Sequence, residues 1–531
     1  MRHSSAFKVL FPAGLLACAL QPASAQPFAA AAESRAGYSG GSIVPTARCE
    51  ALAELELPDL VEISTRVIEP EGAVPGHCRV SGVLDPEVAF EVNLPAAWNG
   101  RFYMLGNGGL AGQGPDDPRR AAERADALTH GFAIATTNTG HDSVEEPGGT
   151  FVLSNPQKAI DYAYRAVHIT ATTAKTVANR YYGEPVAYAY WNSCSNGGRQ
   201  GMLEAQRYPA DFDGIVAAAP WVDQTGFALG AIWNQQALDD VPISPAKIAL
   251  VAERVMAVCD AVDGLEDGLI DDPRNCSFEV ARDVPLCAAG ADTDQCLTAE
   301  QADAIQKVYD GPSNSRGEPL FPGFMLGSEA VVEGPNGAST SGWANVILPA
   351  QQGAKPADFN LAESLLRYLA LDPPQPDYDY RAFDFDRDPA LLERWAAIGN
   401  ATSTDLEAFR DRGGKLLMTY GWSDAILQPL MGVRYFEEAA AANGPAAAEF
   451  IRLFMAPGMA HCGGGVGPDQ YDAVTAVIDW VETGTAPESL LARRVVNGEV
   501  TRSRPLCPYP QVARYRGEGS IDDAASFVCA E

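Results

Sequence analysis

The sequence predicts an α/β fold interrupted by one long insertion, and three observations predict it. Short apolar, β-prone runs alternate with stretches of helical spacing over residues 101–219, and the alternation returns after residue 405. Three chemically suggestive residues, Ser195, Asp424 and His461, each follow such a run, where open α/β sheets place their sites. From the first to the second is a step of 229 positions, far more than one or two βα units need.

Taken in order, the chain opens on a segment that resembles an export signal. Arg2, His3 and Lys8 supply positive charge, residues 9–20 are mostly apolar, and Ala23-Ser24-Ala25 is a small-residue cleavage site. The apolar run is too short, and too interrupted by Pro12, to span a bilayer. Residues 1–25 are therefore expected to be a signal peptide and the mature protein secreted or periplasmic. Lipidation at Cys18 is the rival reading, disfavoured by the bulky Leu16.

The core pattern begins with a strand at 101–105 that runs into Gly106-Asn107-Gly108-Gly109, and a second strand at 132–137. Residues 158–181 have helical spacing, with Ile160, Tyr164, Val167, Ala171 and Val177 on related faces. A β-prone run at 186–190 leads into Asn192-Ser193-Cys194-Ser195-Asn196-Gly197-Gly198. A helix at 198–208 and a buried strand at 214–219 follow. After Pro220 the pattern is lost, and it resumes with strands at 415–420 and 450–455 and an amphipathic helix at 471–483. Residues 26–221 and 406–531 are assigned to the catalytic domain and 222–405 to an inserted lid. Trp343, Phe321, Phe324, Tyr368, Tyr378 and Tyr380 give that lid aromatic material, either for a substrate wall or for its own core.

Composition bounds the partners. The formal net charge of −31 disfavours nucleic acid and anionic membrane surfaces, and no later stretch is apolar enough to cross a bilayer. A hydrophobic fraction of 47% is ample for real cores. Eleven cysteines become ten once Cys18 leaves with the signal, an even number that favours disulfides over metal–thiolate sites in an exported protein. Sequence alone does not fix the pairing. Short spacings suggest Cys49–Cys78, Cys259–Cys276, Cys287–Cys296 and Cys507–Cys529, which leaves Cys194–Cys462 as a long-range bond.

That last pair carries the chemistry. A disulfide holds its Cα atoms roughly 4.4–6.8 Å apart, so Cys194–Cys462 would bring the adjacent Ser195 and His461 within reach of each other. A serine hydroxyl is a weak nucleophile until a base removes its proton, and Asp424 would orient His461 as that base. The order nucleophile, acid, base is that of α/β-hydrolases. Ser193-Cys194-Ser195-Asn196-Gly197 stands where the G-x-S-x-G turn is expected, with serine for the first glycine. The oxyanion hole would use the backbone N–H of Asn196 and that of Gly108 or Gly109. Cys194 as nucleophile is the competing reading, removed if its sulfur is oxidised. Of the other mature histidines, His168 sits in a helix where a structural role is expected, and His130 and His141 lie in loops without metal-binding spacing.

A second candidate site lies at residues 259–269. Asp260, Asp263 and Asp267, with Gly264 and Gly268 permitting tight turns, can converge on one hard cation, and Leu265 and Leu269 can add backbone carbonyls. A solvated acidic loop is the alternative. No organic cofactor is expected.

Together these residues resemble the tannase and feruloyl esterase family, over roughly residues 45–530. The likeness rests on Cys194-Ser195, Asp424 and His461-Cys462, on Gly197-Gly198-Arg199, and on the Gly-Met-Ala-His-Cys-Gly-Gly-Gly text at 458–465. It implies an α/β-hydrolase core with a large lid between nucleophile and acid. It further implies five disulfides and a structural Ca²⁺ in the lid held by Asp260, Asp263 and Asp267 with the Leu265 and Leu269 carbonyls. The implied activity is that of a serine carboxylesterase acting on small esters of hydroxycinnamic, gallic or related benzoic acids. An esterase, deacetylase or peptidase of other specificity on the same core, or an inactive extracellular ligand-binding relative, are the competing expectations. Arg367 is either a receiver for a substrate carboxylate or an ordinary helix arginine.

Overall fold

The computed structural model describes residues 26–330, 342–344, 346–349 and 354–531. The expected signal segment, with Cys18, lies outside the described residues. Nine strands form one sheet: β1 (Leu60–Ile68), β2 (His77–Leu84), β3 (Val88–Pro95), β4 (Arg101–Leu105), β5 (Ala133–Thr137), β6 (Tyr188–Cys194), β7 (Gly214–Ala218), β8 (Lys415–Gly421) and β9 (Ile451–Ala456). Their order is β1-β2-β3-β5-β4-β6-β7-β8-β9. The first three strands and β5 pair antiparallel, and every pair from β5 through β9 is parallel.

Parallel strands need covering on both faces, and the alternation of side chains sorts them to two layers. Phe102 and Met104 of β4 enter one core with Trp191, Ile215 and Leu416, under the helices Ala166–Tyr182 and Asn196–Arg207. Tyr103 and Leu105 enter the other with Tyr190, Val216 and Leu417, under Ala121–Thr129 and Ala473–Thr483. This is the α/β-hydrolase arrangement. The helix expected at 158–181 is broken: a short turn Gln157–Ile160 and a wide π-type turn Asp161–Arg165 precede Ala166–Tyr182.

Between β7 and β8 the described residues add no strand to the sheet. The insertion packs in two ways. Leu238, Ile248, Val251, Phe324 and Trp343 gather in a core of their own. Phe321, Phe359, Leu365, Leu366 and Trp395 instead belong to the main core with the sheet. Of the lid aromatics, Phe321, Phe324, Trp343 and Tyr380 are buried, and Tyr368 and Tyr378 are half-buried. After the last helix, two small antiparallel pairs, Leu490–Val496 with Glu499–Leu506 and Val512–Tyr515 with Phe527–Ala530, complete the chain. All five suggested cysteine pairs are disulfides.

Candidate active site

β6 ends at Cys194, and the helix Asn196–Arg207 starts one residue after Ser195. The turn between them forces Ser195 to φ 64° and ψ −128°, a conformation an L-residue adopts only when its surroundings over-determine it. Its N–H donates to Ala218 O at 2.9 Å, and its carbonyl accepts from Trp221 N at 3.0 Å and Arg199 N at 3.1 Å. Crowding at this turn explains the small residues. A β-carbon on Gly197 would lie 2.0 Å from Ser193 Oγ, and one on Gly198 2.7 Å from Ala218 O. Ser193 thus fits where a glycine is usual because Gly197 leaves room for its hydroxyl.

Asp424 follows β8 and is fully buried. Its Oδ1 accepts from the N–H groups of Ile426 and Leu427, both at 2.8 Å, and its Oδ2 lies 2.7 Å from His461 Nδ1. His461 follows β9, and the loops carrying Asp424 and His461 are back to back: Ser423 N donates to Met459 O at 3.0 Å. The Cys194–Cys462 disulfide, with Cα atoms 5.9 Å apart, joins the Ser195 turn to the His461 loop. It leaves neither sulfur as a thiolate. No hydrogen bond joins the Ser195 hydroxyl to the ring among the described residues, and such contacts commonly tighten only with substrate bound.

The glycine-rich loop after β4 lies against the start of the Asn196–Arg207 helix. A β-carbon on Gly106 would sit 2.9 Å from Gly197 Cα. Asn107 N donates to Gln200 Oε1 at 3.0 Å, and Asn107 O accepts from Asn196 Nδ2 at 3.1 Å. Gly108 O accepts from Ala111 N and Gln113 Nε2. The N–H groups of Asn196, Gly108 and Gly109 donate to no protein acceptor among the described residues. Such groups can accept a developing oxyanion.

The remaining histidines sit elsewhere. His168 Nδ1 lies 2.5 Å from Asp211 Oδ2, with its ring stacked on Tyr208. His130 Nδ1 lies 2.9 Å from Ser39 Oγ. His141 is buried against Phe151 at 4.0 Å, and burial lowers its pKa to about 4. Arg367 pairs with Glu363 at 2.9 Å and donates to Tyr378 O, so its charge is already engaged.

In the 259–269 loop each of the three aspartates accepts from backbone N–H groups of the loop. Asp260 accepts from Asp267 N and Gly268 N, and Asp263 from Leu265 N and Asp271 N. Asp267 accepts from Leu269 N and pairs with the buried Arg504 at 2.6 Å. Burial pushes the Asp263 carboxyl up, and the charges of Asp267 and Asp260 push it further. The carbonyls of Leu265 and Leu269 accept no hydrogen bond among the described residues. Carboxylates and unengaged carbonyl oxygens are the donors a hard divalent cation takes, though the three carboxylates do not gather within 4.8 Å of one another. This loop touches the segment that precedes His461: a β-carbon on Gly458 would lie 2.7 Å from Leu269 Cδ2.

Sequence reasoning passed over several buried polar residues beneath the site, among them Tyr162, Gln224 and Trp395. Arg199 stood out only as part of the Gly-Gly-Arg text. No periodicity distinguishes such residues from ordinary core, since their partners come from four separate segments.

Comparison with known proteins agrees with this geometry. Residues 72–530 match the family described as "Tannase and feruloyl esterase". A mono(2-hydroxyethyl) terephthalate hydrolase from Piscinibacter sakaiensis is 36% identical over 519 residues, covering 86% of this chain and 85% of that protein. A probable feruloyl esterase from Arthroderma benhamiae is 33% identical over 459 residues, covering 82% and 81%. Among solved structures, feruloyl esterase B from Aspergillus oryzae superposes with a TM-score of 0.76 at 26% identity, covering 91% of this chain and all of that one.

Proposed function

Because the chain belongs to the tannase and feruloyl esterase family, and is a carboxylic ester hydrolase, we propose that it cleaves small esters of aromatic acids through an acyl-enzyme on Ser195. The observation that carries this reading is the pairing of two loops: the disulfide Cys194–Cys462 ties the Ser195 turn to the loop whose His461 is bonded to buried Asp424.

In the reaction, His461 Nε2 takes the Ser195 proton as Oγ attacks the acyl carbon. The carbonyl oxygen becomes an oxyanion that accepts from the N–H groups of Asn196 and Gly108 or Gly109. As the tetrahedral species collapses, the acyl–oxygen bond breaks and His461 returns the proton to the departing alcohol. Water, deprotonated by His461, then attacks the acyl carbon, the bond to Ser195 Oγ breaks with His461 returning the proton to that oxygen, and the acid leaves. Asp424 holds the imidazole tautomer and stabilises its charged form throughout.

Two further elements belong to this reading. A Ca²⁺ ion held by Asp260, Asp263 and Asp267 with the carbonyls of Leu265 and Leu269 would brace the insertion against the base loop, with no part in bond making. The five disulfides support export, since such bonds persist in oxidising compartments.

The test is a kinetic panel of feruloyl, galloyl, terephthaloyl-monoester and acetyl substrates on wild type and Ser195→Ala. Turnover of aromatic esters by wild type, abolished in the variant, is expected. Turnover of acetyl esters alone would overturn the aromatic assignment.

A further inference from the structure

A buried chain of hydrogen bonds runs from the insertion to both sources of the oxyanion-hole N–H groups. Trp395 Nε1 donates to Gln224 Oε1 at 3.0 Å, and Gln224 Nε2 donates to the Tyr162 hydroxyl at 2.8 Å. That hydroxyl lies 3.3 Å from Asn196 Oδ1 and 3.3 Å from Gly109 O. Arg199 Nε donates to the same Asn196 Oδ1 at 2.7 Å. All five side chains are at most 1% exposed.

The direction of every bond is fixed by its two ends. Indole and guanidinium nitrogens only donate. Trp395 therefore sets the Gln224 amide with its NH₂ toward Tyr162, so Tyr162 accepts there and has its own proton left for Asn196 or Gly109. Arg199 likewise sets the Asn196 amide with its oxygen inward, which turns Asn196 Nδ2 onto Asn107 O. Because a trans peptide holds C=O and N–H in opposite directions, anchoring Asn107 O aims the N–H of Gly108.

Arg199 is also a buried cation with no carboxylate partner among the described residues. Its other donors reach the carbonyls of Ala163, Gly399 and Tyr162. An uncompensated buried charge is costly to keep, and this one lies beside the helix start where negative charge would develop. Tyr162 sits on the wide turn Asp161–Arg165, a rare geometry that often marks functional positions.

We propose that Tyr162 and Arg199 are positioning residues of the oxyanion hole: they lock the Asn196 side chain onto Asn107 O and thereby aim the N–H of Gly108. The proposal rests on the reading of Ser195 as nucleophile. It makes Gln224 and Trp395 the link by which the insertion reaches the chemistry without touching substrate.

The test uses Tyr162→Phe, Asn196→Ala and their double variant. Asn196→Ala keeps the backbone N–H and removes only the side-chain link. The measurements are kcat and KM on an aromatic ester, and the inhibition constant of an arylboronic acid, which forms a tetrahedral adduct on serine. Tyr162→Phe is expected to lower kcat roughly tenfold and weaken the boronate by a similar factor, with KM held within about twofold. In the Asn196→Ala background, Tyr162→Phe should cost less than about twofold further, because both act through one amide. A full and independent effect of Tyr162→Phe in that background would overturn the proposal, as would an unchanged boronate affinity. Gln224→Leu leaves the Tyr162 ring in place and should lower kcat in the same sense; an unchanged kcat there would remove the link to the insertion. Wild-type turnover by Ser195→Ala would instead remove the underlying reading of the site.

Discussion

His461 and Asp424 meet through a carboxylate whose two oxygens have separate tasks: Oδ2 lies 2.7 Å from the ring Nδ1, while Oδ1 is held by two backbone N–H groups. In Asp424→Asn those two donors would keep the amide oxygen at the Oδ1 position. The NH₂ would then face His461 and force the wrong tautomer. The expected loss is about ten-thousand-fold in kcat with the fold intact, checked by steady-state kinetics and thermal melting. A loss under about tenfold would show that another group orients the ring.

Replacing Cys194 and Cys462 together with serine removes a crosslink spanning 268 positions. Chain-entropy arguments put its stabilisation at about 5.6 kcal/mol as an upper figure. The double variant should melt well below wild type and lose activity before it unfolds, because the Ser195 turn is no longer held to the base loop. Retention of full kcat at temperatures where the variant is folded would show that packing alone aligns the two loops.

Acid should weaken the fold through His141. Burial lowers its folded pKa to about 4 against an ordinary value of 6.5. Between those values the unfolded chain binds a proton that the folded chain refuses. Stability is therefore complete above about pH 6.5 and declines as pH falls toward 4, by about 3 kcal/mol over the window. Urea denaturation at several pH values should show the slope, and His141→Leu should flatten it by about one proton. An unaltered slope in the variant would assign the effect to other groups.

Chelation should act on stability first. If a cation sits among Asp260, Asp263 and Asp267, excess chelator should lower the melting temperature and added Ca²⁺ should restore it. A ligand at a hundred times its dissociation constant contributes about 2.7 kcal/mol. Asp263→Asn should abolish the response. Calorimetry detecting no Ca²⁺ binding by chelator-treated protein would exclude the site.

The parallel half of the sheet was legible because its strands are short, apolar and bounded by glycine or proline. Expected strands at 101–105, 214–219 and 415–420 agree with β4, β7 and β8 within a residue or so. β1 to β3 escaped notice. β1 is largely exposed along its length and carries little apolar periodicity. The insertion was opaque for a different reason: its helices are ordered by contacts with the sheet and with one another, which local spacing does not encode. At the site, residues that adjoin a cysteine or end a strand announced themselves. The relay through Tyr162, Gln224 and Trp395 did not, because a buried tyrosine or tryptophan is ordinary core until its partners are known.

The insertion's divided loyalties limit how new specificities can be built on this scaffold. Phe321 and residues near 359–395 share their packing with the central sheet, whereas Leu238, Ile248, Val251, Phe324 and Trp343 gather in a core of their own. A graft that exchanges the whole segment with a relative would tear open the enzyme's own interior. Only the self-contained part is suited to transplantation, with a seam laid between the two.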